Sequence, residues 1–206
     1  QSVGLQYTSP GKAGFLASSC VIIVPILMAI LYKVRITPSI ATGSIICFVG
    51  LALLSLTENF TLQWGDFLEI LCALFFSIQT IVIYRYAQEI HPIRMAIVQT
   101  LVAGVICLVI SLITEPMPGI EIVCMPVVIS IGYGVIFCTI VTFIIQGYAQ
   151  KITPPSHVSI LLSFEAVFAL ILSVIIGFEE FTTRSLFGCV VLFIGFMITQ
   201  IKLPWK

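Results

Sequence analysis

Glu165 is the residue whose chemistry and placement demand the most explanation. It stands in an apolar run with thirteen residues free of Asp, Glu, Lys and Arg on either side, between Lys151 and Glu179. Placing a charged side chain at the centre of a bilayer costs about 2.5–3.5 kcal/mol on insertion scales, so such a group faces a cavity or a partner and marks a solute or proton path. Glu165 is therefore a carboxyl able to bind cargo or to take up and release a proton. The plainer reading is a hydrogen-bonded acid that ties its helix to neighbours.

Weaker polar signals surround it. Gly132, Thr139 and Gln146 recur at seven-residue steps, which places them within about 40° on one helix face, with Thr142 close by. That face can line a pathway, or let helices approach closely. Glu69, Ala73, Phe76, Thr80 and Tyr84 also follow helical spacing; Thr80 and Tyr84 are cavity candidates, whereas Glu69, near Asp66, is expected to be hydrated at an interface. Gln99 suits a helix-to-helix hydrogen bond. His91 precedes Pro92 in a loop, and His157 is expected to be an interfacial anchor. No nucleophile and base pair, phosphate loop or pair of catalytic carboxylates is present. No cofactor or metal is expected, and the seven cysteines, without ligand spacing, are expected to be free thiols.

The elements that carry these residues are set by composition. Of 206 residues 60% are apolar and 9% charged, with a mean hydropathy of +1.20, whereas soluble domains carry about 25% charged residues. A hydrocarbon core of about 30 Å takes roughly 20 helical residues. Helices are expected at about 13–32, 37–56, 67–86, 94–114, 126–149, 155–178 and 184–201. The fold class is an all-α, polytopic membrane bundle in contact with a lipid bilayer. Net charge is zero and no long basic run exists, so nothing points to nucleic acid. Lys33, Arg35, Arg85, Arg94, Lys151, Lys202 and Lys206 share one side against Lys12 and Arg184 on the other. By the positive-inside rule the first set, and the carboxyl terminus, are cytoplasmic.

The chain also repeats itself. At a shift of 145 residues Gln1 meets Gln146, Thr8 meets Thr153, Pro10 meets Pro155, Ser18 meets Ser163, Thr37 meets Thr182, Gly43 meets Gly188 and Gly50 meets Gly195. Each helix of the first copy lies five spans before its mate in the second, an odd number, so the same helix pair crosses in opposite directions. Inverted repeats of this kind build secondary transporters. Residues 1–56 are then the end of a first unit, comprising the tail of its third helix and its fourth and fifth helices. Residues 57–66 are a connector, 67–201 a complete second unit of five helices, and 202–206 a cytoplasmic tail. A full protein of ten helices is expected, whose missing amino-terminal helices complete the bundle.

These residues carry a family likeness. The run Gly4-Leu5-Gln6-Tyr7-Thr8-Ser9, with Gly11, Ala13, Gly14, Phe15 and Pro25, resembles the first unit of EamA-type members of the drug/metabolite transporter superfamily. Gly65-Asp66, Ala73, Arg85, Gln99, Gly134, Thr139, Gln146 through Gln150-Lys151, Ser163-Phe164-Glu165 and Glu179 before Gly188 resemble the second. The resemblance implies inverted five-helix units in a plasma-type or inner membrane that move small organic solutes by alternating access. Where such proteins usually have Glu-Pro, this chain has Glu165-Ala166, so a straighter helix is expected there. Val34 aligns with Glu179, so the first unit lacks that loop acid. The leading expectation is a secondary transporter of small metabolites, for export or exchange, with proton coupling through Glu165. The alternatives are a non-transporting membrane subunit or an intramembrane enzyme.

Overall fold

The computed structural model describes residues 3–7, 10–55, 64–114, 125–177 and 182–200. A 3₁₀ turn, Gly4–Gln6, precedes ten helical segments: α1 (Pro10–Ala17), α2 (Cys20–Tyr32), α3 (Pro38–Ser55), α4 (Trp64–Ala87), α5 (Pro92–Thr114), α6 (Met125–Tyr133), α7 (Thr142–Ile152), α8 (Pro155–Leu162), α9 (Glu165–Ile176) and α10 (Thr183–Gln200). A π-helical stretch, Gly134–Val141, joins α6 to α7. The pairs α1–α2, α6–α7 and α8–α9 each continue one span, so the described residues form seven helical spans, as expected. Six are long and apolar enough to cross a membrane, and Pro38–Leu54 is a shorter apolar helix. The protein is an all-α, multi-pass membrane protein. The connector residues 57–63, the turn at Glu115 to Gly119, Glu179, Cys124 and the tail 202–206 lie outside the described residues.

Proline marks the starts. Pro10, Pro38, Pro92 and Pro155 are the first residues of α1, α3, α5 and α8, where a missing amide hydrogen leaves nothing unpaired. Lys33 at φ 52° stops α2 and Gly177 at φ 86° follows α9, both in the left-handed region that ends helices. α4 has Asp66 in its first turn and Arg85 in its last, signs that suit the helix dipole. Residues 3–7, read as the tail of a helix, form one 3₁₀ turn, with Tyr7 N–H donating to the Gly4 carbonyl at 3.0 Å.

The chain folds as two compact units. One comprises Gln1–Val82 with Pro154–Lys206, and the other Ile83–Thr153. In the first unit the element boundaries reproduce the 145-residue shift without slippage: Pro10–Ala17 maps onto Pro155–Leu162, Cys20 onto Glu165 as the next helix start, and Pro38–Ser55 onto Thr183–Gln200. The glycines of α3 and α10 explain how the second matched pair packs. A Cβ on Gly50 would lie 2.6 Å from the Leu192 nitrogen and 3.0 Å from the Gly188 carbonyl; one on Gly195 would lie 2.7 Å from the Cys47 nitrogen and 2.9 Å from the Gly43 carbonyl. Residues early in α3 meet residues late in α10, so the two run antiparallel. Applying the shift to the Gly43–Gly195 contact yields the Gly188–Gly50 contact. Cys47 and Leu192, themselves 145 apart, touch each other, with the thiol 3.5 Å from the Leu192 carbonyl. Packing at this backbone-to-backbone range is what small residues give membrane helices. Phe15, Leu16, Val21, Leu51 and Ile160 extend the core from this seam.

In the second unit α7 lies along α5, and a Cβ on Gly147 would meet the Pro92 ring at 3.0 Å. Gln88 Nε2 donates to the Lys151 carbonyl at 3.0 Å, and His91 meets Tyr148 edge to face with ring centres 5.9 Å apart. His91 thus stands exposed in the loop before α5, with one edge contact to an aromatic ring.

Candidate functional site

The site begins with two interruptions in otherwise apolar helices. Between α8 and α9, Phe164 N–H donates to the Leu161 carbonyl, Ala166 N–H to Ser163 and Val167 N–H to Phe164, at 3.1, 3.3 and 2.9 Å. These are i to i−3 bonds, the tighter 3₁₀ pattern. Between α1 and α2, Ser19 N–H donates to Leu16, Val21 N–H to Ser18 and Ile22 N–H to Ser19, at 3.1, 3.1 and 3.0 Å. Each bond in one set is the other displaced by 145 residues. The expectation of a straighter helix at Glu165-Ala166 is therefore corrected: the helix breaks without proline. Ser163 Oγ donates to the Ile160 carbonyl at 2.6 Å and Ser159 Oγ to Ser156 at 2.9 Å. Such back-bonding bends helices.

The breaks share one cavity of about 250 Å³. Ala17, Ser18 and Cys20 line it from one break, and their shift mates Leu162, Ser163 and Glu165 from the other, with Ala73 and Phe76 of α4 closing a third side. Glu165 is exposed and opens α9, so its carboxyl is accessible in the cavity wall. Cys20 faces it in repeat register, which makes the cavity symmetric in backbone and asymmetric in charge. Phe164, one residue away, packs edge to face on Phe193 and Phe196, with ring centres 6.4 and 5.4 Å apart.

The remaining candidates separate. Thr80 is fully buried in the first unit, its hydroxyl donating to the Phe76 carbonyl at 2.9 Å; it is one turn beyond the cavity-lining part of α4. Tyr84, on the same helix, is half-buried and belongs to the second unit. The expected single face of Gly132, Thr139 and Gln146 is interrupted by the π stretch. Thr139 Oγ1 donates to the Gly134 carbonyl at 3.2 Å and Thr142 Oγ1 to Phe137 at 3.0 Å, both five residues back. A wider turn no longer returns a seven-residue step to the same side. Gln146 is buried with its Nε2 unpartnered, whereas Thr139 is half-buried and Thr142 exposed.

Three residues acquire roles that residue spacing concealed. Gln150, one turn after Gln146, is completely buried with both amide atoms unpartnered. His157, read as an interfacial anchor, has its Nε2 3.2 Å from the Thr199 carbonyl, so it joins α8 to α10. Glu69, expected to be hydrated, is completely buried, and neither carboxylate oxygen has a hydrogen-bond partner. Its cover comes from Gly4, more than sixty residues earlier in the chain, which no local pattern reveals.

Residues 63–200 match the family model described as EamA-like transporter family. A protein of Archaeoglobus fulgidus described as an uncharacterized transporter is 29% identical over 202 residues, which is 98% of this chain and 64% of that protein. The chain therefore spans less than two thirds of that relative's length. A crystal structure of a protein of 18% identity superposes with a TM-score of 0.79 over 95% of this chain and 69% of the other, which shows a shared fold.

Proposed function

Since the chain belongs to the EamA-like transporter family, we propose that it works as the carboxyl-terminal part of a ten-helix secondary carrier of small organic metabolites, by export or exchange with alternating access. The observation that carries this reading is the cavity walled by two matching helix breaks and holding Glu165. Discontinuous helices related by an inverted repeat are how carriers build a central solute site. The described walls enclose about 250 Å³, against roughly 300–1,000 Å³ for drug-sized ligand pockets. The lining carries one carboxyl and no Lys or Arg, which suits a solute presenting ammonium or N–H donors. Glu165 exchanges a proton for that donor, which couples transport to a proton gradient. Gln146, Thr139, Thr142, Thr80 and Tyr84 belong to the wider solute path. Lys33, Arg35, Arg85, Arg94 and Lys151 face the cytoplasm of a cell membrane, and the carboxyl terminus is on that side.

The test is uptake by proteoliposomes of the full-length protein, supplied with an isotope-labelled metabolite mixture and read by mass spectrometry with and without a pH gradient. Wild-type protein accumulates at least one solute in response to the gradient, and Glu165→Gln loses that response by tenfold or more. Unchanged gradient-driven uptake in the variant rejects Glu165 as the coupling group.

A further inference from the structure

Glu69 lies three, four and seven residues before Cys72, Ala73 and Phe76, which line the cavity, so it continues that face of α4 one turn towards the helix start. It is completely buried and both its carboxylate oxygens lack a hydrogen-bond partner. The segment around Gly4 closes over it: Gly4 is itself buried, and a Cβ placed there would collide with the Glu69 Oε1. That segment is held against the opening of α4, because a Cβ on Gly65 would lie 2.7 Å from the Gly4 carbonyl and 3.0 Å from Tyr7. A side chain at position 4 would press on the carboxyl and force it to shift.

We propose that Glu69 is a proton-binding site at the α4 end of the solute cavity, distinct from Glu165. An ionised carboxylate without partners in an apolar interior is strongly disfavoured. When enclosed beneath Gly4, Glu69 therefore holds a proton taken from water as an O–H bond on one carboxyl oxygen. When the Gly4 segment lifts, the proton is released to water and the carboxylate is hydrated. The titratable groups around it among the described residues are Asp66 and Cys72 on its own helix, Tyr7 on the covering segment, and Cys20 and Glu165 in the cavity. This inference rests on the carrier reading for its role in coupling, but proton binding itself is measured without any solute.

The experiment is infrared difference spectroscopy of the full-length protein in liposomes at neutral pH, with glutamate carboxyls labelled by carbon-13. The expected result is a carbonyl band of a protonated carboxylic acid that shifts with the label, disappears in Glu69→Gln and persists in Glu165→Gln. Absence of the band from the wild-type protein, or its survival in Glu69→Gln, overturns the proposal. Should Glu69→Gln fail to fold, Gly4→Ala keeps the carboxyl and crowds it; the pH at which half the band remains then moves by at least half a unit, and an unmoved value overturns the proposal. Replacing choline by sodium leaves the band as it is; its loss in sodium makes the ligand a metal cation and likewise overturns a proton site. A carrier that transports nothing yet shows the band refutes only the carrier reading.

Discussion

The two compact units treat the same residue types in opposite ways. In the first, Gly43, Gly50, Gly188 and Gly195 each bring backbone against backbone, whereas in the second a Cβ on Gly104, Gly132 or Gly134 would meet nothing within 4 Å. Helix irregularity differs as well: the first unit tightens its spans into 3₁₀ turns at Ser18-Ser19 and Ser163-Phe164, and the second widens one into the π stretch Gly134–Val141. The glycines of the α3–α10 seam are those with a glycine partner at the 145-residue shift. Outside that register Gly147 still lets α7 approach Pro92 of α5, whereas Gly104, Gly132 and Gly134 mark no approach within their own unit.

Overfilling the seam breaks this comparison with the largest effect. Gly195→Leu and Gly50→Leu drive a side chain into the backbone of the facing helix at Cys47 and Leu192, and overpacking costs typically 1–3 kcal/mol, more where nothing can yield. Each is expected to lose about 3 kcal/mol or more, read as a large fall in the midpoint of thermal unfolding in detergent. Gly132→Leu, in the second unit, is expected to leave the midpoint unchanged. Equal losses at Gly195 and Gly132 would erase the distinction between the units.

The effect of proline sharpens the same contrast on a smaller scale. Ala166 is the second residue of α9, and its N–H donates a long 3.3 Å bond to the Ser163 carbonyl. Proline is tolerated in a first turn and costs about 3 kcal/mol inside an intact helix. Ala166→Pro is therefore expected to lose no more than about 1 kcal/mol, whereas Val102→Pro in the unbroken α5 loses at least threefold more. Urea unfolding of the two variants separates them, and a similar loss in both would mean that the break is not a pre-existing turn.

Much of this was legible from residue types alone. The seven spans and the repeat follow from hydropathy and from rare polar, Gly and Pro matches, and Glu165 stands out because nothing charged is near it in sequence. The breaks were not legible, since serine interrupts neither hydropathy nor helical spacing; only the paired bond shifts at Leu16 and Leu161 reveal them. Glu69 was misread because its enclosure depends on Gly4, a contact far apart in the chain. The face through Thr139 was misread because a seven-residue step presumes 3.6 residues per turn, and the π stretch does not keep it.

The smallest expected effect falls on those threonines. Thr139 and Thr142 direct their hydroxyls to carbonyls five residues back on their own helix, so each hydroxyl is already satisfied where the turn is widened. A net hydrogen bond is worth about 0.5–1.5 kcal/mol, and at the exposed Thr142, midway along an apolar span, removing the hydroxyl also removes a polar group from the hydrocarbon, which offsets most of it. Thr142→Val is expected to change stability by less than about 0.5 kcal/mol, and Thr139→Val, half-buried, by about 1 kcal/mol. If the hydroxyls instead hold the π geometry open, both variants lose more than this, and amide hydrogen exchange across Gly134–Val141 slows as the stretch reverts to α-helix. Faster or unchanged exchange assigns the π geometry to the backbone and its neighbours rather than to the threonine hydroxyls.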